Sequence, residues 1–178
     1  MEEVIAMDKF IPDLYQKSIY DIDYKKLKKK GIKCLLFDLD NTLVPVSESV
    51  PSKKVKELFS VLEKDFKVII ISNSGKKRLT PFKEGLNVDV SASSHKPMKK
   101  KYLKIMDIYK FKYHEIAAIG DQLLTDIYGA NRIGITSILI NPMGEQEKFC
   151  TKINRFFESF LYRKLRKKGI LRKGEYYD

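Results

Sequence analysis

Between residues 33 and 140, short apolar runs alternate with stretches of helical periodicity, and that alternation leaves few architectures open. The runs KCLLF (33–37), KVIIIS (67–72), VDVSA (88–92), IAAIG (116–120) and TSILI (136–140) read as strands. Several are nearly continuous in apolar residues, the pattern of strands covered on both faces. A helix is expected after Pro51, with Val55, Leu58, Phe59 and Leu62 at helical spacing, ending near Lys64. A second follows Pro97, with Tyr102, Leu103, Met106 and Tyr109 on one side, and a third runs from about Gln122 to Arg132. Strands interleaved with helices predict a mostly parallel sheet inside a three-layer α/β/α sandwich of Rossmann-like type.

The flanks are of another kind. Residues 1–32 read as a basic, aromatic N-terminal extension packed on the core, 33–142 as the α/β catalytic domain, and 143–178 as a C-terminal amphipathic basic helix and tail. Asp23 is placed to cap a short helix and Gly31 to end it. In the tail, Ile153, Phe156, Phe157, Phe160 and Leu161 share one helical stripe, which suits packing on the sheet, a second subunit or a membrane interface. Beyond Tyr162 charges surround the helix, so that end is expected to be exposed. Residues 151–178 carry nine Lys/Arg against three acids, a surplus of six that is half of the +12 net charge of the 178-residue chain. Such a balance points to an anionic partner: nucleic acid, a phospholipid surface or a phosphorylated substrate.

Other features narrow the setting. The start MEEVIAMDKF opens on acids and is not a secretory signal. The longest aliphatic run, VIII at 68–71, is far below the roughly 20 residues that span a bilayer, so any membrane contact is expected to be peripheral. Cys34 and Cys150 match no metal-ligand spacing and read as free buried thiols, which with the other features suggests a cytoplasmic protein, with peripheral contact at the inner face of the membrane as an extension of that reading. Oligomeric state is not legible.

In open α/β sheets ligands bind beyond the carboxyl ends of the strands, and polar residues gather at four of those ends here. LLFDLDNTLVP (35–45) sets Asp38 and Asp40 directly after a core strand. Two close carboxylates ionise together only with a cation nearby, which suits a nucleophile beside a general acid/base with a divalent metal; turn-forming acids are the alternative. GDQLLTD (120–126) supplies Asp121, a candidate ligand for Mg2+ or a helix cap, with Asp126 in support behind it. ISNSGKKR (71–78) offers the Ser72 hydroxyl and neighbouring N–H groups to a phosphate, or else a plain turn. Lys96 precedes Pro97, so its backbone is extended and its ammonium can enter the crevice rather than join the solvated lysines beyond it. His95 and His114 read as turn or surface residues.

The ordered set DxDxT, Ser, Lys, GDxxxxD resembles the haloacid dehalogenase (HAD) superfamily of phosphotransferases, through Asp38, Asp40, Thr42, Ser72, Lys96, Asp121 and Asp126. With KFIPDLYQKSIYDIDYKKLKKKGIK, FDLDNTLVP, GDQLLTDIYGANRIG and INRFFE, nearly the whole chain is similar to the YqeG-type HAD phosphatases of subfamily IIIA, close to the phosphatidylglycerophosphate phosphatases. The resemblance implies a HAD-like fold in which Asp38 attacks phosphorus to form an aspartyl-phosphate and Asp40 serves as acid and then base. It also implies Mg2+ held by the Asp38 carboxylate, the Asp40 carbonyl and Asp121, with Ser72 and Lys96 offsetting phosphoryl charge. Thr42 and Asn73 join Ser72 and Lys96 as candidate substrate-binding residues. Asp38 to Ser72 is 34 residues and Ser72 to Lys96 is 24, too short for a large cap domain.

An uncapped site suits a large or surface-bound substrate, and the implied one is the phospholipid headgroup of phosphatidylglycerophosphate. Basic termini could dock such an enzyme on an anionic membrane, at about 1 kcal/mol per Lys or Arg near the surface. Because the motifs do not name the leaving group, a soluble nucleotidase or sugar-phosphate phosphatase is the alternative. A basic RNA- or ribosome-associated protein is a third reading, supported by charge but by no nucleic-acid motif.

Overall fold

The computed structural model describes residues 7–145 and 148–178. The first six residues, on which the reading of the N-terminus as no secretory signal rests, lie outside them, as does the side chain of Cys150. Cys34 is free and buried.

Six strands form one sheet: β1 (Leu14–Gln16), β2 (Cys34–Phe37), β3 (Lys67–Ile71), β4 (Asp89–Ser91), β5 (Ile116–Gly120) and β6 (Thr136–Ile140). Their order in space is β1-β6-β5-β2-β3-β4, and every pairing is parallel. Among the described residues these α-helices accompany them: α1 (Tyr24–Lys29), α2 (Lys53–Leu62), α3 (Lys76–Leu86), α4 (Lys100–Tyr109), α5 (Tyr128–Asn131) and α6 (Phe149–Lys167).

Alternation along the central strands explains the layers. In β2, Leu35 and Phe37 face one side with Leu27 of α1, Val55, Phe59 and Leu62 of α2, and Leu79 and Phe82 of α3. Cys34 and Leu36 face the other side with Tyr102 and Ile105 of α4 and Ala130 of α5. Each fully buried Leu, Ile or Phe contributes about 1.5–3 kcal/mol, so both faces of the sheet are anchored. The Asp23 side chain accepts from the Lys26 N–H at 2.9 Å, and Gly31 ends α1 at φ +87°, a conformation glycine adopts without Cβ strain.

The chain runs β2-β3-β4 to one side and then returns to build β5-β6 on the other. The topological switch therefore falls between β2 and β5, the position at which α/β sheets open a crevice.

Several elements differ from the sequence reading. The N-terminal segment contributes β1, whose outer edge is closed by the tail through paired Tyr15–Tyr177 backbone hydrogen bonds of 2.9 Å each. Covering an edge in this way blocks strand pairing with other chains. Helix α3 forms despite Pro81, held by Leu79, Phe82 and Leu86. The segment expected as a helix from Gln122 begins instead as a π-helix over Leu123–Ile127 before α5. Leu103, expected on the inner side of α4, is exposed, and Ile105 packs inward in its place. The end of α6 beyond Tyr162 is not wholly exposed, because Leu165 and then Leu171 bury against Tyr15 and Leu139.

Candidate active site

The site is built where β2 and β5 end side by side. The Asp38 N–H still donates to the Ile119 carbonyl at 2.9 Å, so the nucleophile candidate closes the strand ladder. A tight loop then turns back, with Asn41 at φ +65°, a left-handed conformation that asparagine tolerates better than most residues. The Asn41 N–H donates to the Val44 carbonyl at 2.7 Å, and the Leu43 N–H to the Leu39 carbonyl at 3.0 Å. Because the strand stops at Phe37, the loop rather than the pleat aims both acids into the crevice.

Asp38, Asp121 and Asp126 are buried, with carboxylate oxygens within 4.8 Å of one another. Lys96 Nζ donates to Asp38 Oδ1 at 2.6 Å and to Asp126 Oδ1 at 2.5 Å, bridging the two. Asp126 Oδ2 also accepts from the Gln122 N–H at 3.1 Å. Gly120 makes this possible: a Cβ there would stand 2.2 Å from Asp126 Cγ. The π-helical turn carries Asp126 under that glycine, a local use of a π-bulge at a polar site. Asp121 accepts from Thr42 Oγ1 at 3.1 Å and from the Arg155 guanidinium, and Arg155 Nη1 also donates to the Asp121 carbonyl at 2.8 Å. Glu158 ties Arg155 down at 2.8 Å and accepts from the Leu124 N–H at 3.0 Å.

These three carboxylates face two cations, one of which Glu158 shares, so the cluster is short of positive charge. Burial pushes Asp38 up to about 6, with Lys96 offsetting part of it. Burial also pushes Asp121 up to about 8 against the pull of Arg155. Lys96 is pulled down by burial, but the Asp126 and Asp38 charges outweigh that and hold its ammonium protonated. An all-oxygen, anionic donor set with a charge deficit fits a hard divalent cation.

Asp40 lies in the opposite situation. Ser74 Oγ donates to Asp40 Oδ2 at 2.6 Å, Lys148 Nζ reaches the same oxygen at 2.5 Å, and Arg78 Nε donates to Oδ1 at 3.0 Å. Burial would raise this carboxyl, but hydrogen bonds from Lys148, Ser74 and Arg78 together hold it below the usual carboxylate range. Its side chain stands apart from the three-carboxylate cluster.

The cavity over these groups measures about 500 Å3 and is lined by Asp38, Asp40, Ser72, Lys96, Lys148 and Phe149, among others. Ser72 is buried at its floor, and its Oγ accepts from the Ser74 N–H at 3.1 Å. Asn73 also lines the cavity while bracketing Lys96: its Oδ1 accepts from the Lys96 N–H at 2.6 Å and its Nδ2 donates to the Lys96 carbonyl at 3.2 Å. Thr42 departs from the expectation of substrate contact. It is fully buried with its hydroxyl committed to Asp121, so it orients that carboxylate instead. Sequence reasoning missed Ser74, Arg78, Lys148, Arg155 and Glu158. Arg78 and Ser74 lie in the quoted ISNSGKKR stretch and Arg155 and Glu158 in INRFFE, but nothing in the sequence sets Lys148 apart from the chain's other basic residues.

The family model described as mitochondrial PGP phosphatase matches residues 2–143. The "Probable phosphatase YqeG" of Bacillus subtilis is 35% identical over 161 residues, 90% of this chain and 94% of that one. The chloroplastic phosphatidylglycerophosphate phosphatase 1 of Chlamydomonas reinhardtii is 26% identical over 84% of this chain and only 60% of its own length. A solved structure titled as a predicted HAD-like family hydrolase from Porphyromonas gingivalis superposes with TM-score 0.53 at 13% identity, over 71% of this chain and 98% of that one. That likeness concerns the fold.

Proposed function

The chain belongs to the PGP phosphatase family of HAD-type phosphatases, and from that premise we propose that it removes the terminal phosphate of phosphatidylglycerophosphate to leave phosphatidylglycerol. The observation that carries the chemistry is the meeting of Asp38 and Asp121 at adjacent strand ends with Lys96 bridging Asp38 to Asp126. The lipid substrate is supported by the likeness to phosphatidylglycerophosphate phosphatases and by a crevice over which no large domain stands among the described residues.

In this reading an Asp38 carboxylate oxygen forms a bond to phosphorus as the bond from phosphorus to the glycerol oxygen breaks, giving an aspartyl-phosphate. Asp40 passes its proton to the departing alkoxide, then takes one from the water that attacks the phosphoryl-enzyme, releasing inorganic phosphate and free Asp38. For the first step Asp40 must be protonated, so Lys148 has to leave its carboxylate when substrate enters. Ser72, Asn73 and Lys96 bind and orient the phosphoryl oxygens, with the buried Lys96 ammonium meeting their charge. Mg2+ is the cation proposed for Asp38, the Asp40 carbonyl and Asp121, with Asp126 supporting through Lys96; bound there, it supplies the neutralising charge that phosphoryl transfer needs.

Hydrolysis of phosphatidylglycerophosphate in mixed micelles, set against a panel of nucleotides and sugar phosphates, tests the substrate. Selective turnover of the lipid is expected. A strong preference for a soluble phosphomonoester overturns the lipid reading and leaves a soluble HAD phosphatase.

A further inference from the structure

Among the described residues the outer face of α6 has no packing partner, and its two halves differ in chemistry. At about 100° per residue, Phe149, Ile153, Phe156, Phe157 and Phe160 fall on one side of the helix, and all five are exposed. The opposite side, through Glu158, Leu161, Tyr162 and Leu165, is the one that packs on the molecule. Phe156 stands edge-on to both Phe157 and Phe160, with ring centroids 5.6 Å and 5.1 Å apart, so the rings form one patch.

Continuing the same turn count, Arg163, Lys164 and Lys167 extend this outward face after the rings end. Arg163 lies over the Phe160 ring at 5.7 Å, joining the cationic half to the aromatic one. Beside the cationic half lies a groove of about 890 Å3 whose walls include Arg163, Arg166, Lys167, Arg172 and Lys173. At the other end of the stripe, Phe149 is 77% exposed and lines the catalytic cavity. Hence one continuous face runs from the mouth of the crevice, through aromatic rings, to a cationic groove.

From this juxtaposition we propose that the outer face of α6 is a docking surface for an anionic phospholipid bilayer. Aromatic rings seat at the boundary between headgroups and acyl chains, and basic side chains pair with the lipid phosphates. A water-soluble anion would account for the groove but not for the rings, and a second copy of this strongly basic chain would bring like charges together. Docking sets the crevice mouth at headgroup depth. The inner face of the same helix contributes Arg155, on Asp121, and Lys148 stands just before its first turn on Asp40, so seating the outer face gives a route by which substrate could draw Lys148 away. No helix among the described residues is long and apolar enough to cross a membrane.

The inference rests on the lipid-substrate reading, but binding can be measured without substrate. The full chain is co-sedimented with vesicles of phosphatidylcholine alone and of equal parts phosphatidylcholine and phosphatidylglycerol. Wild-type protein is expected to bind the anionic vesicles, less so as salt rises, and the Phe156→Ser/Phe160→Ser variant to partition about tenfold less. Both should hydrolyse p-nitrophenyl phosphate at the same rate, since neither ring lines the cavity. Equal binding by wild type and variant, or binding that ignores lipid charge, overturns the proposal. So does a wild-type dimer that becomes monomeric in the variant without any vesicle binding. Turnover of micellar phosphatidylglycerophosphate without vesicle binding removes the docking and leaves the substrate reading. Vesicle binding without that turnover does the reverse.

Discussion

Asp38 and Asp40 are two residues apart on one loop, yet their surroundings are opposite. Asp38 is buried among Asp121 and Asp126 with too few cations, and its carboxyl is pushed up to about 6. Burial raises Asp40 too, but hydrogen bonds from Lys148, Ser74 and Arg78 outweigh it and hold its carboxyl low. The first environment asks for an added cation; the second has cations already and must lose one to become an acid. Sequence spacing sets the pair side by side, while residues far along the chain divide their labour.

The largest expected effect comes from removing the proposed nucleophile. Asp38→Asn should lower kcat by about a thousandfold or more while circular dichroism and the unfolding transition show a folded protein. Retained activity would mean that the contrast between the two acids has no catalytic meaning. Next is Lys96→Met, which leaves Asp38 and Asp126 as unpaired buried charges. A loss of about 3–5 kcal/mol in denaturant unfolding is expected without divalent cations, together with loss of turnover.

The charge deficit around Asp38 makes a pH-dependent claim. Asp38 and Asp121 rise from 3.8 to about 6 and about 8 in the folded state, so the folded chain holds protons the unfolded chain would release. That stabilisation is complete below the unfolded value of 3.8 and is lost as pH rises through the folded values of about 6 and then about 8. Thermal unfolding without metal should therefore move to lower Tm across that range, and Mg2+ should reverse the trend, binding more tightly as Asp121 gives up its proton. A flat profile with no Mg2+ response would remove the deficit. The smallest effect concerns Asp40. Lys148→Met should raise its carboxyl in the free enzyme and move the alkaline limb of the kcat/KM–pH profile to higher pH, and an unmoved limb would detach Asp40 from the acid role.

Much of this was legible in the sequence, for a physical reason. Strands β2, β3, β5 and β6 are buried on both faces, so their apolar runs stand out, and residues at their carboxyl ends fall in the crevice by topology alone. Asp38 and Asp40 after β2, Ser72 after β3 and Asp121 after β5 stand at such ends, while Lys96 follows the half-buried β4 and was singled out by the proline after it. Strand β1, only three residues long, carries no such run, and α3 hides its Leu79, Phe82 and Leu86 spacing behind Pro81. Arg155 and Lys148 reach their partners across 34 and 108 residues, and only the docking of α6 selects them from the chain's 35 Lys and Arg. Thr42 was found by its motif, but its hydroxyl goes to Asp121, because a motif fixes spacing and not the direction in which a hydroxyl donates.

The central claim is that Asp38 becomes phosphorylated in each turnover. Protein quenched during hydrolysis and reduced with borohydride converts an acyl phosphate to the alcohol, and peptide mass spectrometry then reads position 38. The account predicts homoserine at that position, dependent on substrate and absent after Asp38→Asn. Steady hydrolysis with aspartate intact at position 38 throughout would contradict it.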